Sequence, residues 1–202
     1  MAKNAPAQAK KEEKRRTRNW VLTIFFATIA ISAAISLASD FVMGKSSMIV
    51  AFLILLMIVF IGIIFDIVGM AVATADEKPF HAMAARKVTG ARECITLLRN
   101  AERVSSICND VVGDICGVVS GSASATIAAQ VLSNFELSFA NLVPLILSSL
   151  VAALTVGGKA IGKGIAVNNC TDIVYHAGQV IYAATHVKDL FTKKKKTQKK
   201  KK

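Results

Sequence analysis

The chain has only four cysteines, three histidines, three prolines and one tryptophan in 202 residues. Cys94, Cys108, Cys116 and Cys170 make no CxxC pair and no zinc spacing, and His81, His176 and His186 complete no ligand set with them. A zinc ribbon and a dithiol redox centre are therefore excluded, and the cysteines read as free thiols used as small apolar residues. No nucleophile and base arrangement, cofactor fingerprint or catalytic metal spacing is present, so neither an enzyme nor an organic cofactor is expected. The run Gly157-Gly158-Lys159-Ala160-Ile161-Gly162-Lys163-Gly164 shares the composition of a phosphate loop but not its order or its preceding strand. It reads as a flexible glycine-lysine turn. Acids are scarce too, 13 against 25 Lys and Arg, for a formal net charge of +12. Such an excess suggests nucleic acid until it is divided by region. Residues 1–19 hold seven Lys and Arg against two acids, and residues 188–202 hold nine Lys against one, so the rest of the chain is close to neutral. The charge belongs to two solvated tails without interleaved aromatics, which suits anionic lipid head groups and not nucleic acid.

Long apolar runs are abundant. With 53% hydrophobic residues and a mean hydropathy of +0.51, the composition is that of an all-α integral membrane protein. Residues 1–19 form a basic arm, and Trp20 to Ser39 is a charge-free first span with an interfacial aromatic at its start. A cleaved signal peptide is the rival reading of that stretch, although the apolar core exceeds the usual h-region of roughly 7–15 residues. Residues 48–75 form the most hydrophobic span, interrupted only by Asp66, with Gly62 and Gly69 as close-packing points. Residues 76–103 are cationic and keep a period near 3.6, which predicts a cytoplasmic amphipathic helix pair bent near Gly90, with Asp76 as its cap. Spans over 104–131 and 137–158, a second amphipathic helix over 165–191 and a lysine-rich tail over 192–202 complete the chain. Loop charges then place both termini in the cytoplasm of a multi-pass plasma-membrane protein with four spans.

The third span carries the main functional signal. At helical spacing Ser106, Asp110 and Asp114 stack on one face, while Gly113, Gly117 and Gly121 form a stripe that invites close helix packing. A carboxylate near the bilayer centre costs at least roughly 2.5–3.5 kcal/mol, so these acids need water, a partner or a cation. Asp66 belongs at the same end of its own span. Oxygen ligands from Asp66, Ser106, Asn109, Asp110 and Asp114 would suit a hard cation such as Mg2+. Two blander readings stand beside it: acids hydrated near the membrane face, and Asp66 paired with an arginine such as Arg103.

The order of parts over residues 50–190 resembles the transmembrane domain of the CNNM (cyclin M) and bacterial CorB/CorC magnesium transporters. Gly90-Ala91-Arg92-Glu93-Cys94-Ile95-Thr96-Leu97-Leu98-Arg99-Asn100-Ala101-Glu102-Arg103 is similar to the family's Gly-Ala-x-x-Ala-x-x-Leu-Leu-x-x-Pro-x-Arg, and Gly158 to Lys163 is similar to its Gly-Glu-x-x-Pro-Lys. The resemblance implies a homodimer of three-helix cores, here over residues 48–190 with an extra N-terminal helix, and a Mg2+ site on the core helices. The chain departs from the pattern at Asp66-Ile67-Val68-Gly69, where the family has Ser-Gly-x-Glu, and at Gly113-Asp114-Ile115, where it has Gly-Asn-Asn. Lys159 replaces a glutamate and Gly162 a proline, so Lys159 and Lys163 are candidate counter-ion or gating residues. The family's CBS and corC-like domains have no counterpart in these residues. A non-transporting scaffold or accessory subunit, its acids balanced internally, is the alternative to divalent-cation transport.

Overall fold

The computed structural model describes residues 5–43, 46–134 and 142–199, with side chains described at 15, 17–39, 41–42, 46–133 and 142–186. Among these residues all regular structure is helical: α1 (Ala5–Met43), α2 (Met48–Thr74), α3 (Lys78–Ala85), α4 (Ala91–Arg99), α5 (Ala101–Ser106), a π-helical turn (Ile107–Gly113), α6 (Asp114–Asn134), α7 (Leu142–Asn168) and α8 (Cys170–Lys199). Four segments are long and apolar enough to cross a membrane: Thr17–Ser39, Met48–Thr74, Ala101–Ser133 and Leu142–Asn168. The short turn expected at 133–136 and the start of the span expected at 137 fall on residues 135–141, outside the described residues.

Both basic tails are helical where they are described. α1 runs back to Ala5, through Ala, Gln, Lys, Glu and Arg, which are all strong helix formers. α8 likewise continues to Lys199, into the segment expected as a tail.

The glycine-lysine run is helical, against the expectation of a flexible turn. Gly157 to Gly164 lies inside α7 and is not a turn, so the second amphipathic helix does not start at 165. Asn169 alone separates α7 from α8, and the Ile173 N–H donates back to the Asn169 carbonyl at 3.1 Å. The physical reason is packing. A Cβ on Gly158 would collide with the Ile63 side chain, and one on Gly162 would lie 2.7 Å from Ile67 Cγ1. Each glycine costs an isolated helix about 1 kcal/mol relative to alanine, and here two of them let α7 lie directly on α2.

The chain divides into two compact units, Met1–Val59 with Asp114–Ala152 and Phe60–Gly113 with Ala153–Lys202. In the first, α1 packs on α6, and α6 buries Ile115, Val119, Ala123 and Ile127 at four-residue spacing. Ser120 and Ser124 are buried beside them, their hydroxyls donating to the Gly117 and Gly121 carbonyls at 2.9 and 2.8 Å. Gly117 and Gly121, two of the three glycines of the expected stripe, have nothing within 4 Å of a would-be Cβ among the described residues.

The second unit has its core in Ala71, Val72, Phe80, Cys94, Leu98, Ala166 and Val174. The expected amphipathic pair is three short helices. Pro79 opens α3, and Asp76 accepts the Lys78 N–H at 3.2 Å but is not the N-cap, which is Glu77. Lys87 ends α3 in the left-handed region, φ 57°, with the Val88 N–H donating to the Met83 carbonyl at 3.0 Å. Gly90 then starts α4 at φ 86°. α4 buries Ala91, Cys94 and Leu98 and exposes Arg92, Thr96 and Arg99, the one-sided pattern of a helix lying on a core. It meets α8 at close range, since a Cβ on Gly178 would collide with Cys94 Sγ.

Two outcomes follow from this contact. Gly90→Ala puts a side chain in the left-handed region, 3.1 Å from the Gln179 backbone nitrogen, and should lower unfolding free energy by about 1–2 kcal/mol, measured by thermal denaturation. Burial pushes the Cys94 thiol up, with Glu93 adding to the shift and hydrogen bonds partly opposing it. Being fully buried as well, Cys94 should escape N-ethylmaleimide at neutral pH until the protein is denatured, whereas the partly exposed Cys170 reacts.

Candidate functional site

Asp66 is the one charged residue in the 27 residues of α2, and it is 9% exposed. Three features of the second unit lie against this helix at or near Asp66. The first is Lys159 on α7, whose Nζ lies 3.3 Å from Asp66 Oδ1. The close seat of Gly158 and Gly162 on Ile63 and Ile67 brings the lysine there, because these residues flank Lys159 and Asp66 on the same two helices. The second is Gly113, the last residue of the π-helical turn. A Cβ there would stand 3.2 Å from Lys159 Nζ and 3.4 Å from Asp66 Oδ1, so a side chain at this position would press on the pair.

The third is Asn109, within the same turn. Its Nδ2 donates to Ser105 Oγ at 3.3 Å, while its Oδ1 is fully buried and has no hydrogen-bond partner. That oxygen is directed at Gly69, three residues beyond Asp66 on α2, where any Cβ would strike it and would also lie 2.8 Å from Cys108 Cβ. A buried acceptor left without a partner costs about 1–3 kcal/mol, which a donor or a cation would recover. The turn adds a main-chain oxygen: the Cys108 carbonyl lies 3.5 Å from the same would-be Cβ on Gly113. A π-helical turn bonds i to i+5 in place of i+4, and this widened winding carries Asn109 and Gly113 along the face of α2.

Ser106 Oγ donates to Asp110 Oδ2 at 2.8 Å, and Asp110 is exposed. Asp114 is exposed and opens α6, in the first unit. Lys163 is exposed, one turn beyond Lys159. Among the described residues no three His, Cys, Asp or Glu side chains converge closely enough to hold a metal. Of the five oxygen-bearing residues expected together, Asp66 and Asn109 share the surface between α2 and the turn. Ser105, the Cys108 carbonyl and the turn itself were not anticipated; Ser105 lies four residues before Asn109, a spacing that could have suggested the bond.

Comparisons with family models, with curated proteins and with solved structures find no match for this chain.

The buried ion pair has a measurable signature. Asp66→Asn leaves the Lys159 ammonium without its counter-charge and Lys159→Met leaves the Asp66 carboxylate facing an apolar group, and either alone should destabilise the purified protein by about 3–5 kcal/mol in the absence of divalent ions. Combining Asp66→Leu with Lys159→Met should return stability to near that of the unmodified chain, read as the melting midpoint in detergent.

Proposed function

We propose that the chain is a multi-pass membrane protein that binds and carries a divalent cation, Mg2+ foremost, at the surface between α2 and the π-helical turn. The observation that carries this reading is the buried, partnerless Asn109 Oδ1, directed at Gly69 on the helix that buries the Asp66 carboxylate three residues earlier. Hard oxygen donors of this kind, a carboxylate, an amide oxygen and a main-chain carbonyl, match what Mg2+ takes while retaining several waters. The four long apolar helices support membrane insertion, and a carboxylate on such a helix marks a function unless it is neutralised. The resemblance to the CNNM and CorB/CorC transmembrane domain supports the same reading. With it come a homodimer, cytoplasmic termini and a plasma-membrane location, with the basic tails lying against anionic head groups.

A second reading has its own observation. Lys159 sits on Asp66, and an acid neutralised by the protein's own lysine also suits a scaffold or accessory subunit that transports nothing. Reconstitution into liposomes containing a Mg2+-sensitive dye separates the two. Transport predicts uptake by the unmodified chain that falls to the level of empty liposomes in Asp66→Asn and is strongly reduced in Asn109→Ala. An unmodified chain that is folded, inserted and silent would establish the scaffold reading instead.

A further inference from the structure

We infer that Lys159 is a built-in competitor for the cation: its ammonium holds Asp66 in the ion-free protein and must withdraw before a divalent ion enters. This rests on the cation-site reading above and adds to it the residue that sets apparent affinity.

Position is the first argument. The Lys159 side chain is 24% exposed and that of Asp66 11%, so the lysine is the more accessible member of the pair and the aspartate the more enclosed. Gly113 lies against both atoms of the pair, and the Asn109 oxygen is directed at the same helix three residues further on. Any cation that used Asp66 together with these oxygens would sit beside the ammonium, and two positive charges at such range in a poorly solvated place repel strongly.

Which part moves is the second argument. A retreat of α7 would give up the contacts of Gly158 with Ile63 and of Gly162 with Ile67. The lysine side chain can move alone. Its four-carbon stem is flexible, its head is a compact, well-hydrated charge, and such side chains readily redirect the head towards water while leaving the stem on apolar surface. A tethered ammonium therefore fills the acid when no ion is present and leaves without disturbing the helix that carries it. Asp110 offers a second acid in the same turn of chain, but it is exposed and already accepts from Ser106.

A purely structural ion pair would be indifferent to Mg2+, and that difference is testable. The melting midpoint of the purified full-length chain in detergent is followed against MgCl2 at constant ionic strength, for the unmodified protein, Lys159→Met, Lys159→Arg and Asp66→Asn/Lys159→Met. Removal of the competitor should lower the half-saturating Mg2+ concentration roughly tenfold or more, the usual size of a coupling between two bound species. Lys159→Arg, which keeps the charge, should bind no more tightly than the unmodified chain, and the double variant should not respond at all.

A readout on the unmodified chain needs no substitution. Acetylation of Lys159 by an N-hydroxysuccinimide ester, measured by mass spectrometry relative to Lys163, should rise when Mg2+ is added. Equal half-saturation in Lys159→Met and the unmodified chain, or acetylation of Lys159 that ignores Mg2+ in a chain whose midpoint responds to it, overturns the role of Lys159 while leaving the cation site standing. A midpoint that no Mg2+ concentration moves, in either the unmodified chain or Lys159→Met, overturns the site and the competitor together. Should Lys159→Met fail to fold, the acetylation measurement decides alone.

Discussion

A single carboxylate on an otherwise apolar helix governs the second unit. Asp66 cannot be turned away from the protein without meeting hydrocarbon or water, and it cannot be buried alone. Much of what surrounds it answers that demand. An ammonium has to reach it from another helix, so α7 must come close, and close approach of two helices requires small residues at the contact. Gly158 and Gly162 meet that need against Ile63 and Ile67, and Gly113 leaves space from the other side. The ion pair at 3.3 Å is thus the result of three glycines as much as of two charges.

Not all glycines in such helices do the same work. Gly69, Gly113, Gly158, Gly162 and Gly178 each occupy a place where a methyl group would meet a neighbour, whereas Gly117 and Gly121 face open space in this chain. The distinction separates glycine as a spacer between elements of one molecule from glycine as an available surface. In the sequence the two kinds look alike, and the regular four-residue stripe of Gly113, Gly117 and Gly121 is the more conspicuous. The contacts between α2 and α7 rest instead on a pair that resembled a loop.

That contrast accounts for what could be read in advance. Four apolar segments declare themselves, because a run of about 20 uncharged residues has few other fates. Asp66 stands out for the same reason, and Lys159 stands out as a lysine where the resembling family carries an acid. The course of α7 through Gly157 to Gly164 did not show, since helix propensity is a local quantity and the decisive contact is with Ile63 and Ile67, nearly a hundred residues earlier. The stacking of Ser106, Asp110 and Asp114 was drawn on an ideal α-helix, and the turn from Ile107 to Gly113 is wound otherwise. No residue pattern announces that winding. Within it Asn109, an unremarkable amide, supplies the buried oxygen that faces α2 at Gly69.

The same turn makes chain length itself a piece of information. Loops at the ends of helices absorb insertions and deletions with little consequence. Between Ile107 and Gly113 there is no such slack, because loss of a residue between Asn109 and Gly113 would change both their spacing and the winding that sets their directions around the helix axis. The amide and the glycine would then no longer face the same neighbour. Any descendant of this sequence that keeps both contacts is therefore bound to keep the count of residues in that turn, whatever it does with their identities.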